Sequence, residues 1–272
     1  MALETQHMNS THQPAAASGL TVLQADQDFK FDCHPQVSCF TRCCRDITIF
    51  LSPYDIIRMK QALGLSSEEF LEKYTVSLIG SVGLPVVLIK MHDDESKRCP
   101  FVTPKGCSIY EHRPWPCRIF PLRPESTKQT EKAKKEYYSV MDIPFCEGLR
   151  ENKVMTVDDW KKTQGIPKYM EMEAPFKKIT TSPYLQGKKI SNKKIQDMFH
   201  MAAYDIDLFR RFVFESKFLQ IYDIADEDVE RMRSDDVVLY EFAMKWLEHG
   251  LIGHHVLKLR PEAMGAGKEK NA

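Results

Sequence analysis

Eight cysteines, in two clusters, constrain this chain more than any other feature: Cys33, Cys39, Cys43 and Cys44, then Cys99, Cys107, Cys117 and Cys146. None follows Cys146, although the chain runs to residue 272. Thiols gathered in this way need a chemical reason, and three reasons compete. Disulfide frameworks belong mostly to small exported domains that cannot build a sufficient core. A chain of 272 residues with 43% hydrophobic content can bury a core without them. Inert buried thiols, packing as small hydrophobes, account for isolated cysteines but poorly for Cys39 followed closely by Cys43-Cys44. Ligation by thiolates accounts for both clusters and for the count, which is right for two four-cysteine sites. Metal ligation is therefore the favoured reading, and all eight cysteines are candidate ligands.

The spacing adds detail. The first cluster reads Cys33-x5-Cys39-x3-Cys43-Cys44. Neighbouring side chains on an extended or turn backbone diverge, so Cys43 and Cys44 are not expected to grip one mononuclear ion. Either they serve two nearby sites or both touch a polynuclear cluster. The second cluster reads Cys99-x7-Cys107-x9-Cys117-x28-Cys146. Prolines at 100, 104, 114, 116, 121, 124 and 144 rule out long helices there, leaving loops and short strands such as 137–141. Arg42, Arg45, Arg98 and Arg118 stand beside cysteines and could offset the negative charge of a thiolate centre. His34, His92 and His112 lie near enough in sequence to replace a sulfur, though a surface or hydrogen-bonded histidine is the plainer reading of each.

The rest of the chain reads as α+β. Ser52-Pro53-Tyr54-Asp55 is a helix start, with a capping serine, a first-turn proline and an acid at the positive end of the helix. Ser66 with Glu68-Glu69 starts a second helix. The β-branched runs 75–79 and 86–91 flank a Gly/Pro turn and predict a hairpin. Thr156 with Asp158-Asp159 starts a short helix through Lys162. Ile195, Met198, Phe199, Ala202, Ile206, Phe209 and Phe212 recur at helical steps, and Ser234-Asp235-Asp236 caps a further helix ending at Gly250. The expected organisation is a disordered stretch 1–25, an irregular metal-stapled cysteine domain 26–150 with short helices and a β-hairpin, an irregular connector 151–190, a helical region 191–260, and a flexible tail 261–272. The charged stretch 124–136 reads as a solvated loop.

Charge excludes some functions. Lys+Arg and Asp+Glu balance at 38 each, so no polyanion-binding surface, and hence no nucleic-acid partner, is expected. The longest apolar stretch, 82–90, is too short to span a bilayer, and residues 1–28 carry no apolar run of export-signal length. A soluble cytoplasmic protein is expected. No glycine-rich phosphate loop, serine nucleophile or acid–base dyad is evident, so no catalytic residue is assigned.

With these residues laid out, the chain resembles the YkgJ-type cysteine-cluster family, a zinc- or iron-chelating domain also described as an iron–sulfur oxidoreductase. The resemblance rests on Phe31-x-Cys33, Cys43-Cys44, the capped helix with Asp55, Cys99-Pro100-Phe101, Gly106-Cys107-Ser108-Ile109-Tyr110-Glu111, Arg113-Pro114, Cys117-Arg118, Phe120-Pro121 and Cys146. It covers about residues 29–150. The family's opening gaps are two residues long, whereas here they are five and three. The resemblance implies a small domain that uses these cysteines to hold zinc or iron. The eight cysteines, the vicinal pair, Cys99-Pro100 and the flanking arginines favour an iron–sulfur centre with a redox partner, with zinc in a non-catalytic interaction module as the alternative.

Overall fold

The computed structural model describes residues 22–125 and 136–261. The expectations for residues 1–21, for the charged stretch 126–135 and for 262–272 lie outside the described residues. The fold is α+β, with ten α-helices and small antiparallel sheets among the described residues.

Order starts earlier than the composition suggests. β1 (Val22–Leu23) lies before β2 (Asp28–Lys30), in a stretch expected to be disordered up to residue 25. A two-residue strand is too short to leave a periodic signal, and its order comes from a distant partner. β3 (Phe50–Leu51) leads into α1 (Pro53–Leu63). That helix starts where local chemistry demands. Ser52 Oγ accepts from Asp55 N–H, Asp55 accepts from Ser52 N–H in return, and Gly64 closes the helix in the left-handed region. Ser66 and Glu69 repeat the same reciprocal cap at the start of α2 (Ser67–Tyr74). β4 (Thr75–Ile79) and β5 (Pro85–Ile89) form the expected hairpin, and β3 joins it in the order β3-β5-β4.

The proline-rich stretch is built from small pieces, as expected: β6 (Val102–Thr103), β7 (Gly106–Cys107), the five-residue α3 (Trp115–Ile119), β8 (Leu122–Glu125) and β9 (Tyr137–Val140). β9 pairs with both β8 and β1. β10 (Val154–Thr156) runs antiparallel to β2 and leads into α4 (Val157–Thr163).

The segment 151–190 is not irregular. α5 (Ile166–Thr180) occupies fifteen residues of it. Ile166, Tyr169, Met172 and Ile179 put one stripe of this helix into the core. Pro167 sits in its first turn, where no N–H is needed, and Pro175 is tolerated inside because the apolar stripe packs on both sides of it.

The C-terminal part is helical: α6 (Lys193–Tyr204), α7 (Ile206–Glu215), α8 (Phe218–Ile221), α9 (Asp226–Ser234) and α10 (Asp236–Leu251). Asp205 breaks the recurrent pattern into α6 and α7, accepting from Leu208 N–H as the N-cap of α7. Asp235 caps α10 as expected.

One apolar cluster joins the two ends of the chain. It runs from Ile49, Ile56, Met59 and Phe70 through Phe101 and Ile109 to Phe209, Leu239, Tyr240 and Trp246. Leu23, Phe29, Phe31, Ile119, Leu122, Tyr138 and Cys146 form a smaller second cluster. Where α1 meets the C-terminal helices, Lys60 is nearly buried, and its ammonium lies 3.0 Å from Asp207 and 2.9 Å from Asp236. Arg210 pairs with the other side of Asp236. No helix among the described residues is long and apolar enough to cross a membrane.

Candidate metal centre

The sulfurs sort in space differently from their order in sequence. Cys33 lies among Cys43, Cys39 and Cys146. Cys44 lies beside Cys43 but faces Cys117 and Cys99 as well, and Cys117 has Cys99 and Cys107 as neighbours. Two neighbourhoods result: Cys33, Cys39, Cys43 and Cys146 in one, Cys44, Cys99, Cys107 and Cys117 in the other. Relative to the sequence clusters, Cys44 and Cys146 have changed places.

Backbone pairing explains the exchange. Just after β2, Phe31 N–H donates to Lys153 O and Asp32 N–H to Gly148 O, both at 3.0 Å. This holds Cys33 against the turn that carries Cys146. A Cβ on Gly148 would stand 2.6 Å from Asp32 O, so only glycine permits the approach. Glu147 N–H then donates to Cys39 Sγ at 3.2 Å, bringing the third sulfur to the same turn. The 3-10 turn Arg42–Cys44 supplies Cys43, and Thr41 before it adopts a left-handed φ of 66°.

The second neighbourhood is built by other contacts. Cys99 N–H donates to Cys44 O at 2.9 Å, and Arg45 and Arg98 form an isolated antiparallel bridge. Asp46 and Lys97 flank this short pairing, both at positive φ. Non-glycine residues held there cost energy, and such strain collects at functional loops. The β6–β7 hairpin places Cys107 opposite Val102. At its tip Gly106 has φ of 108°, and a Cβ there would stand 3.2 Å from the Phe40 ring. The hairpin therefore closes onto the loop carrying the first cysteines. Cys117 sits on α3, whose first N–H, from Trp115, donates to Asp55 Oδ1 at 2.8 Å. Asp55 thus ties two helix starts together while almost fully buried. That burial pushes its carboxyl up to about 6, against the pull of its Trp115 and Ser52 donors.

The electrostatics of the sulfurs fit a cation. Partial burial of its sulfur, and then the neighbouring thiols, push Cys33 up to about 11, while burial and then its thiol neighbours push Cys117 up to about 12. Burial also raises Cys99, to about 11, with Cys107 adding to the effect. Cys43 and Cys44 lie side by side, so the pair gives up its first proton more readily than a lone thiol and its second less readily. Backbone N–H groups oppose the burial: Phe101 and Val102 reach Cys99, Ile109 reaches Cys107, and Leu149 and Gly148 reach Cys146. Donors aimed at sulfur favour the thiolate, while crowding of thiolates disfavours it. A positive ion resolves that conflict, because a coordinating thiol is deprotonated outright. The donor set is therefore right in number and chemistry. Its spacing is not closed: among the described residues, no three His, Cys, Asp or Glu side chains converge tightly enough to hold an ion as they stand.

The neighbouring basic residues divide. Arg118 does not serve the sulfurs: its guanidinium donates to the carbonyls of Arg113, Gln164 and Glu111 and stacks on Tyr169. Adjacency to Cys117 in sequence gave no information on direction. The positive charge that opposes the rise at both Cys107 and Cys117 is that of Arg113, which sequence reading did not single out for this role. Its Arg113-Pro114 context was the available signal. Arg42 lies over the Phe145 ring, and Arg98 donates to Ser96. His34 faces Gln36 and Glu151, while His112 lies near Arg58 and Arg118, where burial and then those charges hold its pKa down.

No solved structure matches this chain. Residues 32–146 match the CxxCxxCC sequence family, described as "Putative zinc- or iron-chelating domain". The match takes in all eight cysteines and stops before α4, leaving most of the helical part outside it. The gathered thiols and the family match agree: over residues 32–146 the chain is similar to this zinc- or iron-chelating family.

Proposed function

We propose that the protein is an iron–sulfur redox protein, with Cys33, Cys39, Cys43 and Cys146 holding one centre and Cys44, Cys99, Cys107 and Cys117 a second. The observation that carries this reading is the gathering of the eight sulfurs into two neighbourhoods that meet where Cys44 lies beside Cys43. In two-cluster ferredoxins a cysteine of one local run likewise serves the other cluster. Metal binding would rotate these side chains inward from their present spacing. An iron–sulfur cluster supplies one-electron chemistry when bound, and its potential follows hydrogen bonding to sulfur and solvent exposure. The chain provides both levers. N–H groups at 101, 102, 109, 147, 148 and 149 are directed at sulfurs, and Arg113 supplies positive charge. Cys33 is exposed, which suits contact with a redox partner at the first centre. Eight free thiols suit a reducing compartment such as the cytoplasm.

A second reading places zinc on the same sulfurs in a non-catalytic interaction module. It is favoured by the four-sulfur count of each neighbourhood, since structural zinc sites are closed by four ligands. Anaerobic purification with quantification of iron, labile sulfide and zinc separates the two. Iron with sulfide supports the first reading; zinc without iron supports the second. Serine variants test the partition. Cys44→Ser and Cys117→Ser should each remove about half the metal, and the double variant should remove no more than either. Cys44→Ser with Cys146→Ser should remove nearly all. Metal content unchanged by every variant would overturn both readings.

A further inference from the structure

A cleft of about 490 Å³ opens between the β3–β5–β4 sheet and the helices α3 and α5. Ligand sites of this size are common, and most pair apolar walls with a few polar groups. Here the aromatic side chains of Phe50, Trp115, Phe176 and Tyr204 contribute to the walls. Phe176 and Tyr204 pack edge to face, with centroids 5.9 Å apart.

Among the described residues, the carboxylic acids lining the cleft are Asp55 and Glu173. Asp55 is committed, its two oxygens accepting from Ser52 and Trp115. Glu173 is not. Among the described residues no hydrogen bond or ion pair reaches its half-buried carboxylate; the charge of Lys177, one turn on, acts on it, but that side chain is exposed and does not line the cleft. Among the described residues, no lysine, arginine or histidine lines the space. A partly desolvated carboxylate with no cation in direct contact costs energy that a ligand can recover. Aromatic faces carry negative potential and attract a cation more strongly once it is desolvated. An anion would be repelled by both acids. A bare divalent ion would find too few oxygens, since hard cations require six or more.

We propose that this cleft binds an organic ammonium: a protonated or quaternary amine on an apolar body, its charge at Glu173 and its body against the aromatic wall. Trp115 and Pro116 place the occupant directly beside the residue that precedes Cys117. The inference does not depend on which metal the cysteines hold.

Calorimetric titration of the full chain with hexylammonium, hexanol and hexanoate tests it. Hexylammonium should bind about tenfold more tightly than hexanol, with hexanoate weakest, as expected for one charge-assisted contact plus a cation–π contribution. Glu173→Gln should remove the ammonium preference and leave hexanol unchanged. Phe176→Leu, which keeps apolar bulk but removes the aromatic face, should weaken hexylammonium more than hexanol. Equal binding of hexylammonium and hexanol, no binding of hexylammonium, or a full ammonium preference in Glu173→Gln would each overturn the proposal.

Discussion

Arg118 offers the sharpest test of how the second sulfur neighbourhood is held. It is 6% exposed, and its Nε donates to Arg113 O at 2.8 Å and one Nη to Gln164 O at 2.7 Å, with the other Nη reaching Glu111 O. One planar group thus ties the loop before α3 to the turn between α4 and α5, across 46 residues of sequence. Each hydrogen bond to a charged group contributes about 1.5–3 kcal/mol, and a buried carbonyl left without a donor costs about 1–3 kcal/mol. A lysine at this position keeps the charge but cannot span three diverging carbonyls. Keeping one or two of the three bonds, Arg118→Lys should lose about 2 kcal/mol. Arg118→Met keeps the apolar stem and loses every bond, together with the stack on Tyr169, so about 4 kcal/mol is expected. The assay is equilibrium unfolding in urea under reductant, with metal content matched between variants and the midpoint compared at constant slope. A lysine variant within about 0.5 kcal/mol of the parent, the range of ordinary surface changes, would refute the argument that the fork geometry holds this region.

Two further expectations concern the frame around the site. Lys60→Met leaves Asp207 and Asp236 without their shared ammonium. Because Asp207 keeps Ser67 N–H at 2.7 Å and Asp236 keeps Arg210, the loss should be about 2 kcal/mol rather than the 3–5 kcal/mol of a fully orphaned pair. Although burial opposes it, the donors from Ser67 and Lys60 hold Asp207 below the usual carboxylate range, so its folded pKa is depressed. That contribution is present above the unfolded value, about 3.9, and is lost as the pH falls through the lower folded value. Acid unfolding should therefore be less steep in Asp207→Asn than in the parent, and equal slopes would count against the pairing. Gly106→Ala forces a side chain into a left-handed position against the Phe40 ring and should destabilise by about 1–2 kcal/mol in the same urea assay.

What the sequence makes legible is local. The caps at Ser52 and Ser66 involve residues three apart, so composition alone announces α1 and α2. The hairpin 75–89 is announced by its β-branched runs and the turn between them. α5 escaped because Pro175 lies mid-helix and lysines and glutamates interrupt its apolar stripe, whose worth comes only from tertiary burial. The cysteines themselves were legible as a set. The place of Cys146 beside Cys33 was not. It depends on hydrogen bonds from 31 to 153 and from 32 to 148, and on the missing side chain of Gly148, none of which has a sequence period. The destination of Arg118 was hidden for the same reason: its acceptors are backbone carbonyls, which look alike at every position.

The apolar cluster that runs beneath α1 has a practical corollary for anyone who trims this protein to its recognisable motif. The family match ends at residue 146, yet Ile56 and Met59 share their oil with Leu239, Tyr240 and Trp246. Cutting the chain at the match boundary would strip the lid from that interior and wet the underside of the helix whose Asp55 anchors α3. The heritable signature and the smallest piece able to stand alone are thus different lengths of polypeptide.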